Sequence, residues 1–297
     1  MARIWLIDIE SVETRYTKQW KTFFPALLRK NNHEVFVVEG PTDIPNATTP
    51  GAFLNFGGTN IYKANEIEQN SRAFTTGKVH EGDHIIFTDA WHPGITNIKY
   101  MSELLGIKVI THALWHAGSY DPQDFLGRLI NNAPWVRHAE KSFFHSYDHN
   151  YFATDFHVKL FFDELLLDGN NEPTDMYNEA YNNRFNNGKI VRCGWPMEYV
   201  RKELEAFKGM TKRNLILFPH RVAPEKQPEI FLDLKDTLTQ YEFEICMDKN
   251  YSKQEYYNAL GEAKLVFSAN LQETLGISWY EGALVGTLPM VPDRLSY

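Results

Sequence analysis

The chain of 297 residues carries 30 Lys and Arg against 38 Asp and Glu, a formal charge of −8, with 43% hydrophobic and 14% aromatic residues. That composition excludes a disordered or low-complexity chain, and the length suits two domains with substantial cores. The acidic balance speaks against a surface that grips nucleic acid through many phosphates, and two distant cysteines, Cys193 and Cys246, exclude a disulfide framework or a Cys-based zinc module.

The cysteines read as buried thiols of a reducing compartment. The first residues enter an apolar strand-like stretch with no charged leader, and nowhere do about 18 apolar residues run together, so a soluble cytoplasmic protein without a membrane span is expected. Residues 3–9 are an apolar run of the kind a strand buried on both faces shows, 16–30 carry helical spacing and 35–38 return to a strand pattern, a βαβ opening. Gly57-Gly58-Thr59 lacks the strand and spacing of a dinucleotide fingerprint and reads as a turn. Further strands are predicted at 84–87, 108–111 and 151–153, with helices near 94–105, 124–130, 134–146 and 156–166. Residues 167–188, rich in Asn, acids and turn formers, read as a long mobile surface loop.

After a short strand at 189–192, Gly194-Trp195-Pro196 leads into a helix ending near Gly209. A second series follows, with strands at 215–218, 243–246, 265–267 and 288–291 and helices at 224–238, 253–259 and 276–285. Strand and helix taking turns predict an α/β fold of two Rossmann-like, doubly wound domains, 1–195 and 196–297, facing a cleft.

Two segments of the second series carry the sharpest chemistry. In 218–226, Arg221 precedes a predicted helix start at Pro224 and Lys226 lies in its first turn, so backbone donors, the helix dipole and two cations face one anion, as a diphosphate site requires. In 272–283, Glu273 and Glu281 are separated by seven residues. Leu275 and Gly276 lie at the expected helix start, where unsatisfied N–H groups again face an anion. Glu281, among Trp279, Tyr280 and Ala283, should have a designated partner.

Arg221 with Lys226, the Glu-x7-Glu element and then Gly286-Thr287-Leu288-Pro289 resemble, in this order, the donor half of retaining glycosyltransferases of the GT-B fold, especially the large family 4 type. The resemblance is strong from about residue 215 to 292 and architectural before that. It implies that Arg221 and Lys226 bind the diphosphate of a nucleotide sugar with the amides at Leu275 and Gly276, that Glu281 holds the ribose hydroxyls and that Glu273 orients the donor sugar. It further implies a metal-independent reaction with the nucleotide sugar as co-substrate and no other cofactor. His116, just beyond a central strand, resembles the residue such enzymes present to the donor sugar.

Asp89 and His92 end the preceding strand, and with Arg15 and Asp121 they are candidates on the acceptor side. Residues 13–17 occupy the place where related enzymes often carry a glycine-rich turn, absent here, and Thr14 or Thr17 reads more simply as a helix cap. A metal set from His80, Asp83, His84, Asp89 and His92 matches no tight ligand spacing, so no metal is expected. No Walker or Gly-x-Ser-x-Gly sequence occurs, which removes the commonest NTPase and hydrolase readings.

The resemblance therefore implies transfer of a sugar from a nucleoside diphosphate to an acceptor hydroxyl. The acceptor classes it admits are a small molecule, a glycan, a lipid head group or a modified nucleic-acid base, the last as in bacteriophage-encoded members that act in a host cytoplasm. The rival expectation is a non-catalytic nucleotide-binding remnant or scaffold. Relatives usually continue with further helices, so an apolar face near 288–291 is expected to need cover from more chain or from a partner subunit.

Overall fold

The computed structural model describes residues 1–12, 15–47, 54–130, 133–166 and 187–297. Residues 167–186 of the expected surface loop, and Glu13 and Thr14, lie outside them. The chain divides into two compact units, Met1–Trp195 and Pro196–Tyr297.

Unit 1 is built on a six-stranded sheet in the order β2-β1-β3-β4-β5-β6. Its strands are β1 (Arg3–Ile7), β2 (Glu34–Val38), β3 (His84–Phe87), β4 (Ile110–Trp115), β5 (His149–Phe152) and β6 (Ile190–Arg192), all paired in parallel. Continuous apolar runs such as Ile4 to Ile7, at most 6% exposed, suit strands covered on both faces. The covering helices are α1 (Tyr16–Lys30), α2 (Phe56–Thr75), α3 (Ile95–Leu105), α4 (Phe125–Ile130), α5 (Pro134–Ser146) and α6 (Asp155–Phe161), the last continued by a π-helical turn, Phe162–Leu166.

Helix α2 replaces the turn expected at Gly57-Gly58-Thr59. Asn55 caps it by accepting the Gly58 N–H at 2.8 Å. Its buried stripe of Thr59, Tyr62, Glu66, Asn70, Ala73 and Phe74 keeps helical spacing, but polar members interrupt it and hide the period. Gly58 is required by close approach, since a Cβ there would lie 2.1 Å from the Pro45 carbonyl oxygen. Nor does Thr17 cap α1: the cap position is Arg15, without a side-chain bond, and Thr17 Oγ1 instead accepts the Val12 N–H at 3.1 Å. Cys193 is exposed, against expectation, whereas Cys246 is buried.

Unit 2 holds a four-stranded parallel sheet in the order β10-β9-β7-β8. Its strands are β7 (Leu215–Phe218), β8 (Glu242–Ile245), β9 (Leu265–Phe267) and β10 (Leu288–Met290), and its helices α7 (Tyr199–Glu203), α8 (Pro228–Thr237), α9 (Lys253–Glu262) and α10 (Ile277–Leu284). The single helix expected over 224–238 is broken: a 3-10 turn, Pro224–Lys226, is followed by Gln227 at φ 49° and a fresh start at Pro228. Proline tolerates only the first helical turn, so Pro228 forces the restart. The helix expected to end near Gly209 is only α7 plus a 3-10 turn, Glu205–Phe207. Leu288 and Met290 of the edge strand β10 are 65% and 40% exposed.

Both sheets have a point where the strand order reverses: between β1 and β3 in unit 1, and between β7 and β9 in unit 2. Ligands of open α/β sheets gather beyond the carboxyl ends of the strands at such points.

Candidate functional site

In unit 2 the loops leaving β7 and β9 are tied together. The Leu271 N–H donates to the Glu225 carbonyl at 2.8 Å, and Lys226 Nζ donates to the Gln272 carbonyl at 2.7 Å. Arg294 adds bonds to the carbonyls of Ala269 and Asn270 and to Gln227 Oε1. Lys226 is thereby held 3.7 Å from Glu273 Oε2, which also accepts from Asn270 Nδ2 at 3.3 Å. The switch point thus brings the sequence-predicted Lys226 and Glu273 into one cluster.

Arg221 belongs to the same loop and grips Glu225, a fully buried carboxylate, through Nε at 2.8 Å and through Nη2. Because the 3-10 turn ends at Lys226, the helix N-terminus expected at Pro224 is not there, and α8 begins beyond both cations. Leu275 and Gly276 do precede a helix, α10, with Gly276 at φ 86°. A Cβ at Gly276 would lie 2.3 Å from the Trp279 indole, so glycine is required by space as well as by conformation. The partner expected for Glu281 is found: its buried carboxylate accepts from Lys253 Nζ at 3.0 Å and from the Tyr256 hydroxyl at 2.9 Å. Adjacent His220 is kept neutral by burial and by the nearby charges of Lys226 and Arg221.

In unit 1 the switch point opens into a cavity of about 340 Å³. Its polar lining includes Glu10, Asp89 and His116, from the segments that follow β1, β3 and β4. His116 Nε2 faces the Thr88 carbonyl at 2.7 Å, and a carbonyl can only accept, so Nε2 carries the proton. Nδ1 is then the acceptor for the Tyr16 hydroxyl at 2.6 Å. Burial lowers the imidazole pKa, which keeps this tautomer neutral. Tyr16, Trp20 and Trp195 pack around the ring, with Trp195 4.6 Å away between centroids.

Asp89 accepts from Lys63 Nζ at 2.9 Å and from the Trp91 N–H at 3.1 Å. Burial pushes its carboxyl up, but the Lys63 ammonium and these hydrogen bonds outweigh that and hold it below the usual range. Trp91, a cavity wall, is fixed by its indole N–H on Glu140 at 2.9 Å. Arg15 also lines the cavity.

Two acceptor-side candidates have structural positions instead. His92 Nδ1 accepts the Gly94 N–H at 3.1 Å, so Nε2 donates to Glu66 at 3.1 Å. Burial lowers His92 to about 3 and raises Glu66 to about 10, leaving a neutral buried pair. Asp121 is buried in the turn before α4, where it accepts the Gln123 N–H at 2.9 Å, and it does not line the cavity.

The residues weighed as a metal set do separate work. Asp83 binds Trp5 Nε1 at 2.8 Å, Arg3 at 3.0 Å and the backbone N–H of His80 at 3.0 Å, while His84 pairs with His112 at 2.8 Å. Among the described residues no three His, Cys, Asp or Glu side chains converge on a point that a metal could occupy. Lys63 and Glu10 are not singled out by the sequence, whereas Tyr16 belongs to the segment 13–17 whose polar side chains are expected near the acceptor. Lys63 sits on the unrecognised α2, and Tyr16 meets His116 only through the β1–β3–β4 arrangement.

No protein-family model and no curated protein matches the sequence. Solved structures do match in shape. The catalytic domain of starch synthase IV from Arabidopsis thaliana, bound to ADP and acarbose, is 9% identical with a TM-score of 0.60, over 99% of this chain and 83% of the other. Sucrose-phosphate synthase from Thermosynechococcus elongatus gives 12% and 0.56, over 98% and 81%. An α-glucosyltransferase in complex with UDP and a 13-mer DNA gives 12% and 0.54, over 98% and 79%. The chain therefore has the α/β fold of these GT-B glycosyltransferases, with two parallel sheets, one in each of its units.

Proposed function

We propose that the protein is a glycosyltransferase that moves a sugar from a nucleoside diphosphate to an acceptor hydroxyl, with retention at the anomeric carbon and no cofactor or metal beyond the nucleotide sugar. The observation that carries this reading is the Lys226–Glu273 cluster, 3.7 Å across, at the switch point of unit 2 beside the start of α10. In that reading unit 2 is the donor domain and unit 1 the acceptor domain.

As the leaving group departs, negative charge builds on the diphosphate. Arg221, Lys226 and the amides at Leu275 and Gly276 oppose that charge, the two cations preorganised by Glu225 and by the Gln272 carbonyl. Glu273, the part-exposed carboxylate of the cluster, orients donor-sugar hydroxyls and is assigned no covalent role. Glu281, anchored by Lys253 and Tyr256, keeps lone pairs for the ribose hydroxyls. His116 acts as a neutral ring that holds the Tyr16 hydroxyl and Thr88 carbonyl in place, not as a cation. Retention follows from a front-face path in which the leaving phosphate takes the acceptor proton.

Isothermal titration with UDP, ADP and GDP, together with a sugar-release assay on the matching nucleotide sugars, tests the reading. Binding with sugar release supports the enzyme. Binding without release under all donors points to a non-catalytic nucleotide-binding protein, and no binding removes the donor assignment.

A further inference from the structure

We infer that the unit 1 cavity binds the acceptor, and that this acceptor is a small alcohol with a flat, apolar body rather than a polynucleotide or an oligosaccharide; the acceptor role rests on the glycosyltransferase reading above. The walls decide the ligand class. Helix α2 contributes Phe56 and helix α4 contributes Phe125, whose rings stack 5.9 Å apart at 19°, and Trp91, Leu126 and Leu129 extend the same apolar lining. At about 340 Å³ the cavity is at the small end of the range for drug-sized ligands.

The charges argue the same way. The lining holds the cations Arg15 and Lys63 against the carboxylates Glu10, Asp89 and Asp124. Lys63 is engaged by Asp89 at 2.9 Å, and Asp124 accepts the Leu126 N–H at 3.0 Å. A net negative lining gives a phosphate backbone nothing to release counterions against. A polar sugar chain would leave its hydroxyls unpaired on apolar walls.

Among the described lining residues, one buried polar atom, Glu10 Oε2, stands without a hydrogen-bond partner. It suits the hydroxyl of an alcohol whose apolar body lies against the walls. In the transfer, the bond from the anomeric carbon to the acceptor oxygen forms, the bond to the diphosphate oxygen breaks, and the hydroxyl proton leaves with the diphosphate.

The test titrates the whole protein with 2-naphthylmethanol, with maltose and with a single-stranded oligonucleotide containing a 5-hydroxymethylpyrimidine, and separately with UDP. The inference expects 2-naphthylmethanol to bind in preference to the other two. Leu126→Trp, which fills the cavity, and Leu129→Asp, which charges an exposed wall position, should each weaken that binding about tenfold or more, and Glu10→Gln severalfold, with UDP binding unchanged. Binding of maltose or the oligonucleotide in place of the aromatic alcohol overturns the ligand class, as does naphthylmethanol binding unmoved by all three substitutions. Loss of UDP binding with the alcohol still held in the wild-type cavity overturns the glycosyltransferase reading and leaves the ligand class standing.

Discussion

The two units solve one topological problem with opposite chemistry. In each, the parallel sheet reverses order, and the carboxyl ends of the strands at that point are where ligands of open α/β sheets gather. In unit 1 that place is walled by aromatic and aliphatic side chains from α2 and α4, and its charges largely cancel as Lys63–Asp89. In unit 2 it is a lattice of charge-assisted bonds, Arg221 on Glu225, Lys226 on Gln272 and Arg294 on two carbonyls. The strand order sets where a ligand sits, and the loop residues set what it is.

The contrast breaks most sharply at the charged lattice. Lys226→Ala should lower turnover about a hundredfold to a thousandfold, the usual effect of removing one preorganised donor, and steady-state kinetics would read it directly. Wild-type rates would remove Lys226 from the donor site. Arg221→Ala should cost activity similarly, but it also deprives the fully buried Glu225 of its guanidinium. That loss should destabilise unit 2 by about 3 to 5 kcal/mol. Arg221→Ala combined with Glu225→Gln should restore the melting temperature without restoring turnover, which separates the two roles.

Unit 1 is tested through pH. Glu66 is raised from its ordinary 4.5 to about 10, so the stability it contributes is complete below 4.5 and drains away as the pH climbs toward 10. His92 is lowered from 6.5 to about 3, so its contribution is complete above 6.5 and is lost as the pH falls toward 3. The alkaline limb should therefore steepen by about 1.4 kcal/mol per pH unit, and Glu66→Gln should flatten it in thermal melts between pH 7 and 9.5. An unchanged limb would mean that Glu66 is ionised in the folded state.

Smaller effects probe the frames of the two sites. Gly58→Ala forces a Cβ to 2.1 Å from the Pro45 carbonyl oxygen and should cost about 1 to 3 kcal/mol in denaturant titration. Ser252→Ala removes one arm of the Ser252–Glu255 capping box on α9, the helix that supplies Lys253 and Tyr256 to Glu281, and should cost about 1 kcal/mol.

Much of the sheet was legible because fully buried parallel strands leave unbroken apolar runs, as in Ile4 to Ile7 and Leu215 to Phe218. Helix α2 was illegible because its buried face includes Glu66 and Asn70, whose compensating bonds cannot be read from a one-dimensional pattern. Arg221 and Lys226 stood out because they flank an expected helix start and Glu273 because of its spacing from Glu281, while their membership of one site came from the resemblance to glycosyltransferases. His116 stood out by position, but its tautomer is set by Thr88 and Tyr16, which reach it from other segments of the chain. The apolar cavity left no local signature, since its walls come from segments scattered over more than half of unit 1.

The inner position of β1, with β2 on one side and β3 on the other, has a kinetic consequence. β2 reaches β1 through a single helix, whereas the β3 side must close a long loop, as the Arg3–Asp83 bond, spanning 80 residues, marks. Loop-closure entropy and high contact order place that pairing late. The cavity, which needs the ends of β1, β3 and β4 together, can take shape only after it. Pulse-labelled hydrogen exchange during refolding should find the amides of β1 that pair with β2 protected before those of β3, so that unit 1 gains its ligand cavity after its first strand pair is already in place.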